Sequence, residues 1–159
     1  GSRRVIDLHG RIDRVECLGC GLGLPRGRMQ EMLALLNPGH AGIEARAAPD
    51  GDAHLDPGAI DAFVVPPCPA CGGLLKPAVV FFGENVPRPR VELAMTRLAE
   101  SRGLLVLGSS LTVYSGYRFC LRAAELKLPI AILNRGRTRA DALANLKLDA
   151  DCAATLATL

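Results

Sequence analysis

Four of the six cysteines stand in two pairs, Cys17-x-x-Cys20 and Cys68-x-x-Cys71. A two-residue gap lets both thiolates of a pair turn toward one point, and two pairs supply the four sulfurs of a tetrahedral Zn²⁺ shell. Such a shell is closed. It leaves no position for water or substrate, so the metal is structural and the chemistry must be sought elsewhere. Glycine or proline flanks both pairs (Gly19, Gly21, Pro69, Gly72, Gly73), as tight turns around a metal require. Two disulfides or buried free thiols are the alternatives. Iron in a rubredoxin-like site is a third, for which the forty-seven residues between the pairs are many. The paired knuckle says little about function, because zinc ribbons serve enzymes, nucleic-acid binders and adaptors alike.

Three other stretches carry groups able to do chemistry. His9 stands before Gly10. An imidazole accepts a proton near neutral pH, but a lone histidine is more often a solvated loop residue or a hydrogen-bonded core group. Gly108-Ser109-Ser110 and Asn134-Arg135-Gly136 each follow an apolar run. Glycine lets backbone approach a ligand closely, and small hydroxyls and an amide offer hydrogen bonds to ribose or phosphate. Each turn alone is weak evidence, and the chain has neither G-x-G-x-x-G nor a Walker A motif. His40 and His54 read as solvent-facing, since four thiolates already complete the metal shell. The Arg135, Arg137 and Arg139 cluster reads as a solvated basic loop in which Arg135 could reach a phosphate.

The elements that must position these groups follow from periodicity. Residues 5–8 look extended, and Gly10 looks like a break before a second extended piece leading to Cys17. Met29, Met32, Leu33 and Leu36 form one helical stripe over 26–36, which Asn37-Pro38-Gly39 stops. Residues 37–62 read as a loop or loosely packed insertion. Residues 76–87 give a short apolar strand, either buried core or the wall of a cleft, and 88–101 a helix with Val91, Ala94, Met95 and Leu98 on one face. The run 104–108 predicts a strand buried on both faces of a parallel sheet. A helix follows with Tyr117, Cys120, Leu121 and Ala124 inward, Cys120 being core. Ile130 to Leu133 predicts the next strand. Leu143 and Leu146 fall in a short helical stretch, 148–150 in a last strand, and Asp151 caps a final helix carrying Leu156 and Leu159. Strand, glycine turn and helix in alternation is the logic of a parallel α/β sheet. Ligands bind beyond the carboxyl ends of such strands, where both glycine turns lie.

Composition narrows the class. Of 159 residues 49% are apolar and 22% charged, which suits a folded core, in one medium domain or one with an inserted module. The net charge of +3 is spread over scattered arginines, so no basic stripe points to nucleic acid. No apolar run reaches membrane-spanning length and no signal peptide opens the chain, so no membrane partner is expected. With four cysteines assigned to metal, the other two suit a reducing, intracellular setting.

Taken together, Leu8-His9-Gly10, the two C-x-x-C pairs, Lys76-Pro77, Val80-Phe81-Phe82-Gly83-Glu84, Gly108-Ser109-Ser110-Leu111 and Ile132-Leu133-Asn134 resemble the sirtuin family in order and spacing. The stretches PRG, LNP, APDG, VYSGYRF and PIAILN resemble its class II branch, which includes mitochondrial and many bacterial members. The resemblance implies a Rossmann-like NAD domain with an inserted zinc module, acting as an NAD-dependent protein-lysine deacylase that transfers the acyl group to ADP-ribose and releases nicotinamide, with ADP-ribosyl transfer as a further activity. It assigns His9 as the catalytic base, deprotonating a ribose hydroxyl. It places Gly108, Ser109 and Ser110 at the NAD, Asn134, Arg135 and Gly136 at the adenosine ribose, and Cys152 near the adenine. Val80, Phe81, Gly83 and Glu84 would pair with the backbone of an acylated protein-lysine substrate. Zn²⁺ would sit on Cys17, Cys20, Cys68 and Cys71. A compartment such as the bacterial cytoplasm or the mitochondrial matrix follows from the same resemblance.

Complete family members carry upstream a Gly-Ala-Gly phosphate loop and a Thr-Gln-Asn-x-Asp strand, which this chain does not contain. The expectation is therefore the C-terminal part of the sheet, cut from something longer. Half a dinucleotide site should bind NAD weakly and turn over little alone. The expected divisions are 1–16 carrying the histidine, 17–75 as the zinc module and 76–159 as the Rossmann-like part. The rival reading is a non-catalytic zinc-ribbon interaction module on a nucleotide-fold remnant.

Overall fold

The computed structural model describes residues 2–40, 46–47, 53–54, 58 and 61–158. Contacts divide the chain into two compact units, one of Gly1–Leu8 with Glu84–Leu159 and one of His9–Gly83. The divisions expected at 16/17 and 75/76 do not coincide with these. The strand leading to Cys17 belongs with the cysteines because it pairs with the strand that follows the second cysteine pair.

In the cysteine unit, β1 (Gly10–Cys17) lies between β2 (Gly23–Pro25) and β5 (Leu75–Val79), antiparallel to both. Val15 and Cys17 point inward and are buried. Pro77 is tolerated in mid-strand because β5 is an edge strand, where a missing N–H costs no ladder bond on the open side. Gly10 opens β1 rather than breaking an extended segment. Its φ of +84° and its approach to β5 admit no side chain: a Cβ here would fall inside the carbonyl of Ala78. Between Gly10 and Val15 the register against β5 shifts, and Ile12 is exposed.

The helix α1 (Arg26–Leu36) has the expected bounds, with Met29 buried and Leu36 exposed. Asn37 does more than stop it. Buried itself, it donates from Nδ2 to the Leu33 and Val64 carbonyls, each at 2.8 Å, and accepts the Val64 N–H at 2.7 Å. That ties residues leading to Cys68 onto the end of α1. Within the expected loop, β3 (Arg46–Ala47) pairs antiparallel with β4 (Ala53–His54). The expectation for the His54 side chain lies outside the described residues. His40 is half-buried and meets the Phe63 ring edge-on at 5.2 Å, so it is a packing group rather than a solvent-facing one.

The other unit is a three-stranded parallel sheet in the order β6 (Leu104–Leu107), β7 (Ile130–Leu133), β8 (Leu146–Leu148). α3 (Tyr114–Glu125) brings Cys120 and Ala123 into one core with Val106, Ile130 and Ile132, and α2 (Arg88–Ala99) contributes Leu98. β6 is buried on one face only: Leu105 is 59% and Leu107 42% exposed, because side chains alternate and α3 covers the face of Val106. Leu146 lies in a strand, not a helical stretch. Asn145 exchanges hydrogen bonds with Ile130, its N–H to the Ile130 carbonyl and its Oδ1 from the Ile130 N–H, each at 2.8 Å, which starts β8 beside β7 at once. Residues 5–8 form no strand, and the Leu8 carbonyl instead accepts from Arg90 of α2 at 3.2 Å.

Two outcomes follow for stability. Gly10→Ala should destabilise the cysteine unit by at least about 2 kcal/mol, since strain and backbone overlap act together. Asn37→Ala should cost about 1–3 kcal/mol by stranding buried backbone groups. Chemical denaturation of each variant against the parent checks both.

Candidate functional site

The four paired cysteines converge. One sulfur from each lies within 4.8 Å of all the others, with Cys17 to Cys71 at 3.5 Å and Cys20 to Cys68 at 3.8 Å. A tetrahedral Zn²⁺ with bonds of about 2.3 Å separates its sulfurs by about 3.8 Å. All six cysteines are free, so the disulfide alternative is not realised. The knuckles are built from backbone. The Gly19 N–H donates to Cys17 Sγ at 3.3 Å and the Gly73 N–H to Cys71 Sγ at 3.4 Å. A Cβ on Gly73 would come within 3.1 Å of the Cys17 sulfur, so small residues are needed where the chain wraps the thiols. Backbone donation from Cys20, then from Gly19, lowers the Cys17 thiol to about 6. At Cys71 the Gly73 N–H pulls downward, but the neighbouring Cys20 and Cys17 sulfurs and burial outweigh it and push the thiol up to about 12. Four sulfurs this close cannot all ionise without a cation among them. The donor set and its spacing therefore fit Zn²⁺.

In the parallel unit, the groups expected at the nucleotide are brought together at the carboxyl ends of the strands. The Leu133 carbonyl at the end of β7 accepts the Gly108 N–H at 3.0 Å and the Cys152 thiol at 3.4 Å. A Cβ on Gly108 would stand 3.6 Å from that sulfur. The turn 108–110 is shaped from within: Ser109 Oγ accepts the Leu111 N–H at 3.2 Å, and Ser110 Oγ meets Thr112 Oγ1 at 3.0 Å. Leu111 is buried at a φ of +57°, an uncommon conformation for leucine that fixes the exit of the turn. In the turn 134–136, Asn134 Nδ2 donates to the Arg135 carbonyl at 2.7 Å, and Gly136 has a φ of +73°. Cys152 opens α4 (Cys152–Leu156), which Asp151 caps as expected, accepting the Ala154 N–H at 2.8 Å. That N–H, helped by the Arg135 guanidinium 3.3 Å away, holds the Asp151 carboxyl below its ordinary range.

The remaining expected residues are placed as follows. The exposed His9 has its carbonyl bonded to the Val80 N–H at 2.8 Å, which extends the pairing of β1 with β5. Phe81 packs its ring 5.0 Å from the Lys76 ammonium. Phe82 is 102% exposed, so the run after β5 is not buried core. Gly83 turns the chain at a φ of +87°, and Glu84 begins the other unit.

Three contributions escaped the sequence reading. Arg139 is exposed, as a solvated loop arginine would be, but it is partnered: its backbone N–H bonds the Ser110 carbonyl at 2.9 Å, its guanidinium bonds the Thr112 carbonyl at 3.1 Å and stacks on Tyr117 at 4.3 Å. It thus ties the segment after β7 to the turn after β6. Lys147 and Asp149 both bond the 134–136 turn. Only alternation along β8 could have hinted at the last two, by placing both side chains on one face.

The model of the Sir2 family matches residues 1–115. This chain is a member of the Sir2 family. The sirtuin is 60% identical over 159 residues, all of this chain and 54% of the relative, to an NAD-dependent protein deacetylase of Xanthomonas axonopodis pv. citri (strain 306). It is 54% identical over 152 residues, 96% of this chain and 48% of the relative, to the human NAD-dependent protein lipoamidase sirtuin-4, mitochondrial. It superposes on a solved structure of Sir2 with a p53 peptide and NAD+ at a TM-score of 0.73 and 26% identity, covering 99% of this chain and 55% of that one. Sir2 bound to an acetylated peptide gives a TM-score of 0.75 at 25% identity, with 99% and 55% covered. This sirtuin thus spans about half the length of the curated relatives it matches. Its fold is the α/β fold expected, with a parallel sheet and a four-cysteine cluster able to hold zinc.

The cysteine centre makes a measurable prediction. The purified sirtuin should take up one Zn²⁺ per chain, and each uptake should release protons, because bound thiolates replace thiols. Affinity should therefore fall as pH drops from 8 to 6. Calorimetry in buffers of different ionisation enthalpy counts the protons. Cys17→Ser should lose the metal and the cysteine unit's cooperative unfolding together.

Proposed function

We propose that this chain is the His9-bearing, adenosine-ribose-binding part of an NAD-dependent protein-lysine deacylase. The observation that carries the reading is the meeting of Gly108 and Cys152 at the carbonyl of Leu133, the residue from which the 134–136 turn departs. It occurs at the strand ends where parallel sheets bind dinucleotides, in a chain 60% identical throughout to a protein deacetylase.

NAD supplies the glycosidic bond whose cleavage releases nicotinamide and opens a ribose carbon to the acyl oxygen. Gly108, Ser109 and Ser110 hold the dinucleotide through backbone approach and hydroxyls, Asn134, Arg135 and Gly136 hold the adenosine ribose, and Cys152 lines the adenine. Space favours this: a Cβ added at Gly136 would meet nothing within 4 Å. His9 accepts the proton of a ribose hydroxyl, a task for which imidazole suits neutral pH. Val80, Phe81, Gly83 and Glu84 take the acyl-lysine peptide as an added strand, which the position of β5 at a sheet edge supports. ADP-ribosyl transfer is a second outcome of the same bond cleavage. Zn²⁺ on Cys17, Cys20, Cys68 and Cys71 holds the cysteine unit and takes no part in the reaction. Nucleic acid and membrane lipid are not among the proposed partners, and among the described residues no helix is long and apolar enough to cross a membrane. The bacterial and mitochondrial relatives and the set of free thiols support a reducing compartment, bacterial cytoplasm or mitochondrial matrix.

The test is nicotinamide release from NAD with an acetylated peptide, measured on this chain and on a version extended upstream with the corresponding segment of the Xanthomonas relative. Release by the extended chain is expected, with little from the chain alone. His9→Ala in the extended chain should retain the fold and lose at least about 100-fold in rate. No release from the extended chain would leave the non-catalytic zinc-ribbon reading in its place.

A further inference from the structure

The 134–136 turn is held from the neighbouring strand. Lys147 of β8 places its ammonium 2.9 Å from the Asn134 carbonyl and 2.8 Å from the Gly136 carbonyl. Two residues on, Asp149 Oδ1 accepts the Gly136 N–H at 2.9 Å. The Asn134 N–H bonds the Leu148 carbonyl at 3.1 Å. One cation thus gathers two carbonyls of the same turn, while the Gly136 N–H is taken by an anion. Carbonyl dipoles drawn to one point repel each other unless a positive charge lies among them, and an ammonium bonds such oxygens more strongly than a neutral donor. Uncompensated, those dipoles would also present negative potential beside a negatively charged dinucleotide.

We propose that Lys147 is a positioning residue for the adenosine-ribose end of the nucleotide site, acting through the 134–136 turn. The proposal rests on the reading that this turn binds the nucleotide. Lys147 sets where Asn134 presents its amide and cancels the dipoles of the two carbonyls; it does not touch the ligand. Asp149 completes the clamp by fixing Gly136 in its left-handed conformation.

The experiment titrates ADP-ribose by calorimetry into the zinc-loaded chain extended upstream as above, for the parent, Lys147→Met and Lys147→Arg, all in the extended form. The charged bonds lost should weaken the Met variant about tenfold or more, and Arg should restore affinity to within about threefold of the parent. In amide exchange followed by NMR, Gly136 should exchange faster in the Met variant and at the parental rate in the Arg variant. Should Lys147→Met fail to fold, Lys147→Gln, which keeps donors without charge, is read the same way. A Met variant binding as tightly as the parent overturns the role of Lys147 and leaves the nucleotide site standing. So does an equal loss in Met and Arg with Gly136 exchange unchanged. A parent that does not bind ADP-ribose overturns the reading of the turn itself, and the role of Lys147 with it.

Discussion

Four sulfurs within 4.8 Å of one another are the constraint on which the cysteine unit depends. Among the described residues the apolar side chains buried there are few, chiefly Val15, Met29 and Pro66 beside Cys17 and Cys68. Such a core stabilises a fold weakly, since stability scales with the apolar area removed from water. In zinc-finger peptides a structural Zn²⁺ supplies on the order of 10–16 kcal/mol, comparable to the stability of a whole domain. The sheet is built to serve the sulfurs. β1 ends on Cys17 and β5 begins a few residues after Cys71, so pairing these two strands brings the two knuckles together. Glycines next to the sulfurs let backbone N–H groups point at the thiolates.

The parallel unit works on a different principle. Strands in parallel register end at the same level, so the turns that follow them share one edge. Leu133 is the meeting point, its carbonyl taking the Gly108 N–H and the Cys152 thiol. The turns themselves need reinforcement, because loops that expose backbone to a ligand have few packing contacts of their own. Arg139 provides it from the segment after β7, Lys147 from β8 and Asp149 from just beyond β8. The residues proposed to face the nucleotide are thus held by hydrogen bonds from residues outside the proposed site.

His9 depends on a backbone constraint as well. Gly10 follows it at a φ that other residues rarely adopt, packed against the Ala78 carbonyl. The pairing of the His9 carbonyl with Val80 then sets the histidine and the proposed peptide strand in one hydrogen-bonded register. Histidine and proposed peptide strand are therefore two products of one β-pairing.

Much of this was legible in the amino-acid order. Cysteine spacing announced the metal centre, helical periodicity placed α1 with its observed bounds, and the glycine turns after apolar runs marked the strand ends. These are local signals, carried by residues a few positions apart. What only the tertiary structure decided lies in long-range pairing. The register shift after Gly10 turned Ile12 outward, and the Asn145–Ile130 exchange made Leu146 a strand residue. The exposed face of β6 was misjudged because a continuous apolar run looks the same whether one face or both are covered; only the placing of α3 decides. Arg139 read as part of a solvated basic loop and Lys147 drew no reading at all, since what makes a charge a clamp is the carbonyl it meets across the fold, and composition and spacing carry no record of that.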